Sequence, residues 1–118
     1  MHKITIVGMG PGGEDYLTME AFRVLTQSDN VILRTDQHPV VPFLVENGMR
    51  YTSCDAFYDQ FETFEEVYEA IALEIVEKAK SAPIVFAVPG NPFVAEKTVA
   101  QIIAHKTLDV HIVHGTSF

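Results

Sequence analysis

Cysteine is almost absent from this chain of 118 residues. The single cysteine, Cys54, has no partner for an internal disulfide. One thiol is also too few for the cysteine clusters that build structural zinc sites. We therefore predict no metal site, an inert Cys54 thiol, and a cytoplasmic rather than a secreted protein.

Basic residues and long apolar runs are also scarce. Lys and Arg number 8 against 16 Asp and Glu, which gives a formal net charge of −8. Such a surface repels phosphate backbones, so we expect no nucleic-acid partner. No apolar stretch reaches the roughly 18 residues of a membrane span, and the first residues lack a signal-peptide pattern. We expect no membrane association and a cytoplasmic location.

The apolar residues that are present alternate between short strand-like runs and stretches with helical periodicity. This alternation is typical of a parallel sheet covered by helices. The predicted strands are Ile4–Val7, Val31–Leu33, Arg50–Ser53, Ile84–Val88 and Val110–Val113. The predicted helices are Leu17–Gln27, Val40–Glu46, Phe64–Lys80 and Asn91–His105. The sequence thus predicts one α/β domain over residues 1–118, with a five-stranded, mainly parallel sheet flanked by about four helices.

The start of the last predicted helix rests on Asn91 and Pro92. Asn is a favoured N-cap, and Pro suits the first helical position because the N–H that it lacks would have no partner there. The free N–H groups of such a helix start can hold a carboxylate. Ligands of open parallel sheets bind beyond the carboxyl ends of the strands, so we expect the site among residues 8–13, 34–38, 89–92 and 114–117.

The loop from Gly8 to Gly13 matches the G-x-G-x-x-G pattern of dinucleotide-binding proteins, and Asp36 is the nearest match to a ribose-binding acid. Helical periodicity begins only at Leu17, however, and Glu14 and Asp15 would repel a pyrophosphate. A P-loop is excluded because no Lys-Ser/Thr pair follows the glycines. A further alternative is that the glycines only permit a tight turn after the first strand.

Three short motifs resemble those of the tetrapyrrole (corrin/porphyrin) methylase family. The first is GMGPGGEDYLT at residues 8–18, after the first strand. The second is PGNP at residues 89–92, after the fourth strand, and the third is GTS at residues 115–117, after the fifth. The resemblance covers essentially the whole chain. It implies that residues 1–118 form the N-terminal lobe of a two-lobed methyltransferase whose second lobe is absent from this chain.

Other stretches resemble one branch of that family, in which the methylase-like domain is fused to a MazG-type nucleoside triphosphate pyrophosphohydrolase. They are ILRT and HP within residues 32–39, FEEVY at residues 64–68 and VAEKTV at residues 94–99. This closer resemblance implies that a C-terminal lobe and a MazG-type domain are partners of the chain. The family as a whole implies a homodimer.

The resemblance also implies a ligand and a set of binding residues. The implied cofactor is S-adenosylmethionine, which leaves as S-adenosylhomocysteine, and the implied acceptor is a tetrapyrrole-like or other small molecule. Carried over by position, the cofactor-binding residues are Pro11, Gly12, Pro89, Gly90, Asn91, Val94, Thr116 and Ser117. No catalytic residue is implied, because the sulfonium is reactive by itself and the protein mainly orients donor and acceptor. The family has an acid at the position of Asn91.

Two groups outside the motifs have open interpretations. Arg34 and His38 follow the second strand, where they either meet an anionic acceptor or lie on a surface loop. An aromatic group consists of Phe57, Tyr58, Phe61 and Phe64. It is interpreted as core packing or a lobe or dimer contact, with a ring-stacking site as the alternative.

Two functions also remain open at this point. One is a methyltransferase domain that binds S-adenosylmethionine. The other is a degenerate methylase-like module that binds or regulates an attached MazG-type pyrophosphohydrolase. Asn91 in place of the family acid favours the second function, and the intact glycine loop favours the first.

Overall fold

The computed structural model describes residues 2–93, 96–105 and 107–116. Its strands are β1 (His2–Gly8), β2 (Val31–Leu33), β3 (Tyr51–Ser53), β4 (Ile84–Val88) and β5 (Leu108–Val113). Its α-helices are α1 (Met19–Gln27), α2 (Val41–Glu46), α3 (Phe64–Ala79) and α4 (Lys97–Ile103). Two short 3-10 helices lie at Glu14–Tyr16 and Asp55–Asp59. The predicted α/β fold is confirmed.

The five strands form one sheet in the order β3-β2-β4-β1-β5, and every neighbouring pair is parallel. β4 lies at the centre, with Ile84 beside Ile4 of β1 and Val85 beside Val31 of β2. All five residues of β4 are buried, which explains why its sequence is a continuous apolar run rather than an alternating one.

Helices cover both faces of the sheet. Ile4, Ile6 and Phe86 pack against α3 and α4 in one core. Val7 and Ala87 point to the other face, where they share a second core with α1 and α2. Successive strand residues alternate between the two cores because side chains of a strand point to opposite faces.

This arrangement creates a switch in the direction of the connections. The chain leaves β1 toward α1 on one face, whereas it leaves the neighbouring β4 toward α4 on the other face. Open α/β sheets bind their ligands at such points, beyond the carboxyl ends of the two strands. The fold therefore directs attention to the loops that follow β1 and β4.

The start of the last helix was predicted wrongly. α4 begins at Lys97, not at Asn91. The side-chain oxygen of Asn91 accepts a hydrogen bond of 3.1 Å from the N–H of Phe93, two residues ahead, so the chain forms a local turn instead of a helix. The predicted carboxylate-binding helix end at Pro92 is therefore absent.

The starts of α1 and α3 follow local signals that the sequence contains. α1 starts two residues later than predicted because Thr18 is its N-cap and accepts a hydrogen bond from the N–H of Ala21. Thr63 caps α3 by accepting from the N–H of Glu66, as its capping-box spacing predicts. Across the described ranges, none of the helices is long and apolar enough to cross a membrane.

Candidate functional site

Four glycines bring the ends of β1, β4 and β5 together. We call Gly8, Gly10, Gly90 and Gly115 the glycine junction. Gly10 donates its N–H to the carbonyl of Gly90 at 3.0 Å, and Gly90 returns a bond to the carbonyl of Gly10 at 2.9 Å. The three motifs, which are far apart in sequence, thus meet at one place in the structure.

The backbones at the junction approach too closely for side chains. A Cβ atom on Gly8 would lie 2.5 Å from the carbonyl oxygen of Gly90 and 2.6 Å from the nitrogen of Gly115. A Cβ on Gly115 would overlap the carbonyl oxygen of Gly90 and lie 2.8 Å from the carbonyl carbon of Gly8. These glycines therefore do more than permit a turn, because they allow three strand ends to pack backbone to backbone.

Gly90 presents open space on its outer side. Its φ of +66° lies in the left-handed region that favours glycine, and no atom of the described residues lies within 4 Å of the place where a Cβ would be. A ligand can therefore approach the backbone of Gly90 closely. Pro89 and Asn91, the neighbours of Gly90, are both half-buried.

Asn91 holds the end of β4 to the end of β5. Its side-chain N–H donates to the carbonyl of Gly115 at 2.9 Å, and the same nitrogen lies 3.3 Å from Nδ1 of His114. Its side-chain oxygen is occupied by the N–H of Phe93. Both ends of the amide are thus engaged within the protein. A carboxylate at this position could not donate to the Gly115 carbonyl.

The glycine loop folds back on Tyr16. A Cβ on Gly12 would meet the Tyr16 ring at 2.9 Å, and a Cβ on Gly10 would meet the Tyr16 carbonyl oxygen at 2.6 Å. Pro11, between these glycines, is exposed. The sequence did not point to Tyr16 as a partner of the loop, because glycine spacing carries no information about what packs against it.

His38 does not lie on a surface loop. It is 9% exposed, and its Nε2 lies 2.7 Å from the carbonyl oxygen of Gly10. Its Nδ1 accepts a hydrogen bond of 3.1 Å from the N–H of Val40. A buried ring with both nitrogens engaged has no atom left to bind an anionic acceptor. Both interpretations of His38, a surface loop and a contact with an anionic acceptor, are therefore wrong.

Arg34 forms an ion pair instead of facing an open site. Its Nε lies 3.1 Å from Oε2 of Glu96, and the two side chains are 17% and 8% exposed. Its Nη1 donates to the Tyr58 hydroxyl at 2.6 Å. The pair joins the end of β2 to the residue that precedes α4.

Burial affects the pKa values of both members of this pair. Burial raises the pKa of Glu96 above its ordinary value, and the neighbouring Arg34 guanidinium only partly opposes this effect. For Arg34, burial alone would lower the pKa, but Glu96 and then Tyr58 more than offset it, so the pKa is raised. Burial thus disfavours the charged form of each group, and the charge of each partner favours the charged form of the other.

Asp36 does not offer a free carboxylate for a ribose. It accepts from the Tyr51 hydroxyl at 3.2 Å, and its N–H donates to the Asp55 carboxylate at 2.9 Å. The glycine loop also leads into the short 3-10 helix at Glu14–Tyr16 and not directly into α1. Both features argue against dinucleotide binding.

The aromatic residues pack with one another near the start of α3. The Phe64 and Tyr68 rings stack with centroids 6.3 Å apart, and Tyr58 meets both edge-on. Phe57 and Tyr58 also pack against the core, while Phe64 is 68% exposed. Nearby Cys54 is buried, and burial raises the pKa of its thiol to about 11, which keeps it protonated and inert.

The structure places most of the predicted site residues around the junction. Gly90 belongs to it, Pro11 and Gly12 follow Gly10, and Pro89 and Asn91 flank Gly90. Thr116 is exposed and follows Gly115. Val94 and Ser117 lie outside the described residues. The sequence analysis did not identify the contacts of Glu96 with Arg34 or of Tyr16 with the glycine loop, and it assigned the wrong surroundings to His38.

Cavity volume alone would favour a different place for the site. A depression of about 530 Å³ lies at the amino ends of the strands, lined among others by Asn30, Arg50 and Ile84. We place the site at the opposite edge because ligands of parallel sheets bind at the carboxyl ends of strands.

Comparisons with known proteins find matches over nearly the whole chain. A family model described as Tetrapyrrole (Corrin/Porphyrin) Methylases matches residues 3–118. The uncharacterized protein YabN of Bacillus subtilis (strain 168) is 39% identical over 119 residues, which cover 98% of this chain and 24% of that protein.

Solved structures share the fold. Uroporphyrin-III-C-methyltransferase from Thermus thermophilus matches with a TM-score of 0.73 at 22% identity, over 98% of this chain and 48% of that one. Diphthine synthase matches with a TM-score of 0.70 at 22% identity, over 98% and 45%. The Thermus thermophilus enzyme complexed with S-adenosylhomocysteine matches with a TM-score of 0.67 at 18% identity, over 98% and 45%. The chain spans about a quarter of the curated relative and about half of each structure.

Proposed function

This chain belongs to the tetrapyrrole (corrin/porphyrin) methylase family, and from that premise we propose that it forms the N-terminal lobe of an S-adenosylmethionine-dependent methyltransferase. In this proposal it carries half of the cofactor site, and a second lobe supplies the other half. The observation that carries the proposal is the glycine junction, where the three family motifs meet beside the open backbone of Gly90.

The residues at the junction fit a cofactor of this kind. Gly90 allows close approach to its backbone, since within residues 2–93, 96–105 and 107–116 no atom occupies the space where a Cβ would be. Pro11 and Thr116 are exposed beyond neighbouring strand ends, and in this proposal they form the sides of the site. S-adenosylmethionine would bring the reactive methyl group on its sulfonium, so this lobe needs to bind and orient rather than to supply a nucleophile.

The acceptor and the partners are part of the same proposal. Structural relatives named as uroporphyrin-III-C-methyltransferase and diphthine synthase support methyl transfer but differ in acceptor, so we propose a tetrapyrrole-like or other small molecule. We also propose a homodimer, a C-terminal lobe and a MazG-type domain as partners. The partial coverage of YabN leaves room for further domains in a longer protein.

The test is a calorimetric titration of S-adenosylhomocysteine into the full-length protein. We expect micromolar binding, which Gly90→Trp should abolish because the new side chain fills the open space. Gly48→Trp is the matched control, since Gly48 also has a positive φ (+100°) and no atom of the part of the chain that the structure describes within 4 Å of its Cβ position, but lies before β3 at the opposite edge. No binding by a folded wild-type protein would refute the methyltransferase proposal.

The side chain of Asn91 favours the second candidate function, a methylase-like module that regulates an attached pyrophosphohydrolase. The family acid is replaced here by an amide that is used to join β4 to β5. In this candidate the junction is a structural relic, and S-adenosylhomocysteine does not bind to the folded wild-type protein.

Restoring the family acid is expected to harm this chain. Asn91→Asp places a carboxylate against the carbonyl oxygen of Gly115, now 2.9 Å from the Asn91 nitrogen, and should lower the free energy of unfolding by about 1–3 kcal/mol. The carbonyl raises the pKa of the new carboxyl in the folded state, so the deficit should shrink as the pH falls and the carboxyl becomes a donor.

Urea denaturation at neutral and acidic pH measures this effect. Asn30→Asp is the control, because the Asn30 side chain makes a longer bond of 3.3 Å to Pro83 at an exposed position. Equal losses of unfolding free energy in the two variants would show that the Asn91 side chain does not hold β4 to β5. A gain in S-adenosylhomocysteine affinity with Asn91→Asp, despite the lost bond, would favour a weakened enzyme over a module.

A further inference from the structure

His38 connects a fourth strand end, that of β2, to the glycine junction. It lies in the loop after β2, yet its Nε2 contacts the carbonyl of Gly10, 28 residues earlier, at 2.7 Å. The side chain is 9% exposed, so solvent does not compete strongly for this bond. The sequence singles out His38 beside Pro39, and the proposed function gives it no role.

The two ring nitrogens have different tasks. Nδ1 accepts from the N–H of Val40 at 3.1 Å, so it carries no proton. The neutral ring then carries its proton on Nε2, which donates to Gly10. One nitrogen thus supports the start of α2, and the other holds the glycine loop.

The carbonyl of Gly10 is a shared acceptor. It receives the N–H of Gly90 at 2.9 Å and Nε2 of His38 at 2.7 Å, which uses both of its lone pairs. Gly10 has a φ of +75° and is followed directly by Pro11 and Gly12. The orientation of this peptide therefore decides where the loop presents those two residues.

We propose that His38 is a positioning residue, which fixes the Gly10 carbonyl and thereby holds the glycine loop in the conformation that accepts the cofactor. The effect on cofactor binding rests on the proposed function, whereas the role of His38 in holding the Gly10 carbonyl does not. His38 touches no cofactor in this scheme and acts through Gly10.

Two substitutions separate the two nitrogens. The amide nitrogen of His38→Gln reaches about as far as Nε2 and keeps a donor for Gly10. The side-chain oxygen of His38→Asn reaches about as far as Nδ1 and keeps an acceptor for Val40. Each variant retains one bond and loses the other, so they form a matched pair.

The first readout is amide hydrogen exchange of Gly10 and Gly90, which needs no ligand. His38→Asn should speed exchange at both amides about tenfold, as expected for one lost hydrogen bond, while His38→Gln should leave them within about threefold of wild type. The second readout is S-adenosylhomocysteine affinity of the full-length protein, which should fall about tenfold in His38→Asn only.

The outcomes are distinct. Unchanged exchange in His38→Asn, or losses in both variants that simply follow their global unfolding free energies, would overturn the positioning role. Wild-type protein that binds no S-adenosylhomocysteine would refute the proposed function, while the exchange data still decide whether His38 holds the loop. If one variant does not fold, the other is compared with wild type by the same exchange measurement.

Discussion

Replacing Gly115 by alanine is expected to lower the free energy of unfolding by about 3 kcal/mol or more, at the upper end of overpacking effects. The new methyl group would overlap the carbonyl oxygen of Gly90 and crowd the backbone of Gly8. Each of these neighbours is backbone in or beside a packed sheet, so no flexible side chain can move aside. A domain of this size has only about 5–15 kcal/mol of stability to lose.

Gly13→Ala is the matched control for this prediction. Gly13 is the last residue of the glycine loop, residues 8–13, where no atom of the described residues lies within 4 Å of its Cβ position and its φ is −78°. The methyl group should be tolerated there within about 1 kcal/mol, or even stabilise slightly through the unfolded chain. Chemical denaturation of both variants measures the difference. A similar small effect for both would show that the three strand ends do not pack as closely as described.

Removing Arg34 alone is expected to have the second large effect. Arg34→Met leaves the Glu96 carboxylate, which is 8% exposed, without its guanidinium partner at 3.1 Å. Breaking a buried pair in this way lowers the free energy of unfolding by about 3–5 kcal/mol at neutral pH. Without Arg34, the already raised pKa of Glu96 in the folded protein rises further. The loss should therefore be largest above that pKa and diminish as the pH falls below it.

The double variant identifies the cause of this loss. Arg34→Met with Glu96→Leu leaves no buried charge and should return most of the stability, because well-packed apolar residues can replace a buried pair at little loss. Lys80→Met is the surface control. Its pair with Glu77 is equally short, 3.1 Å, but the side chains are 51% and 72% exposed, so the change should stay within about 1 kcal/mol. A double variant no more stable than Arg34→Met would contradict the explanation by buried charge.

Local patterns predicted most of the secondary structure. Val31–Leu33 and Ile84–Val88 were predicted to the residue, and α3 to within one, because burial and periodicity are written in neighbouring residues. The prediction failed at Asn91, whose local pattern suits both a helix cap and a turn. The distant carbonyl of Gly115 accepts from the Asn91 side chain in the turn that forms. No property of the flanking residues reports that contact.

The candidate site shows the same division. Gly90, Asn91 and Pro11 each follow a predicted strand. The rule that ligands bind at the carboxyl ends of parallel strands was therefore enough to place them at one edge of the sheet. It could not show that Gly8 and Gly115 touch, because that depends on β4 and β5 flanking β1 in the sheet order. Nor could it show that His38 is buried against Gly10.

Composition, periodicity and short-range spacing were sufficient to determine the fold class, the strands and the edge of the sheet where the family motifs gather. Tertiary structure alone decided the partners: His38 with Gly10 across 28 residues, Asn91 with Gly115 across 24, and Arg34 with Glu96. Hydrogen bonds and ion pairs need atoms about 3 Å apart. Only the spatial order of the strands in the sheet brings such distant residues to that distance.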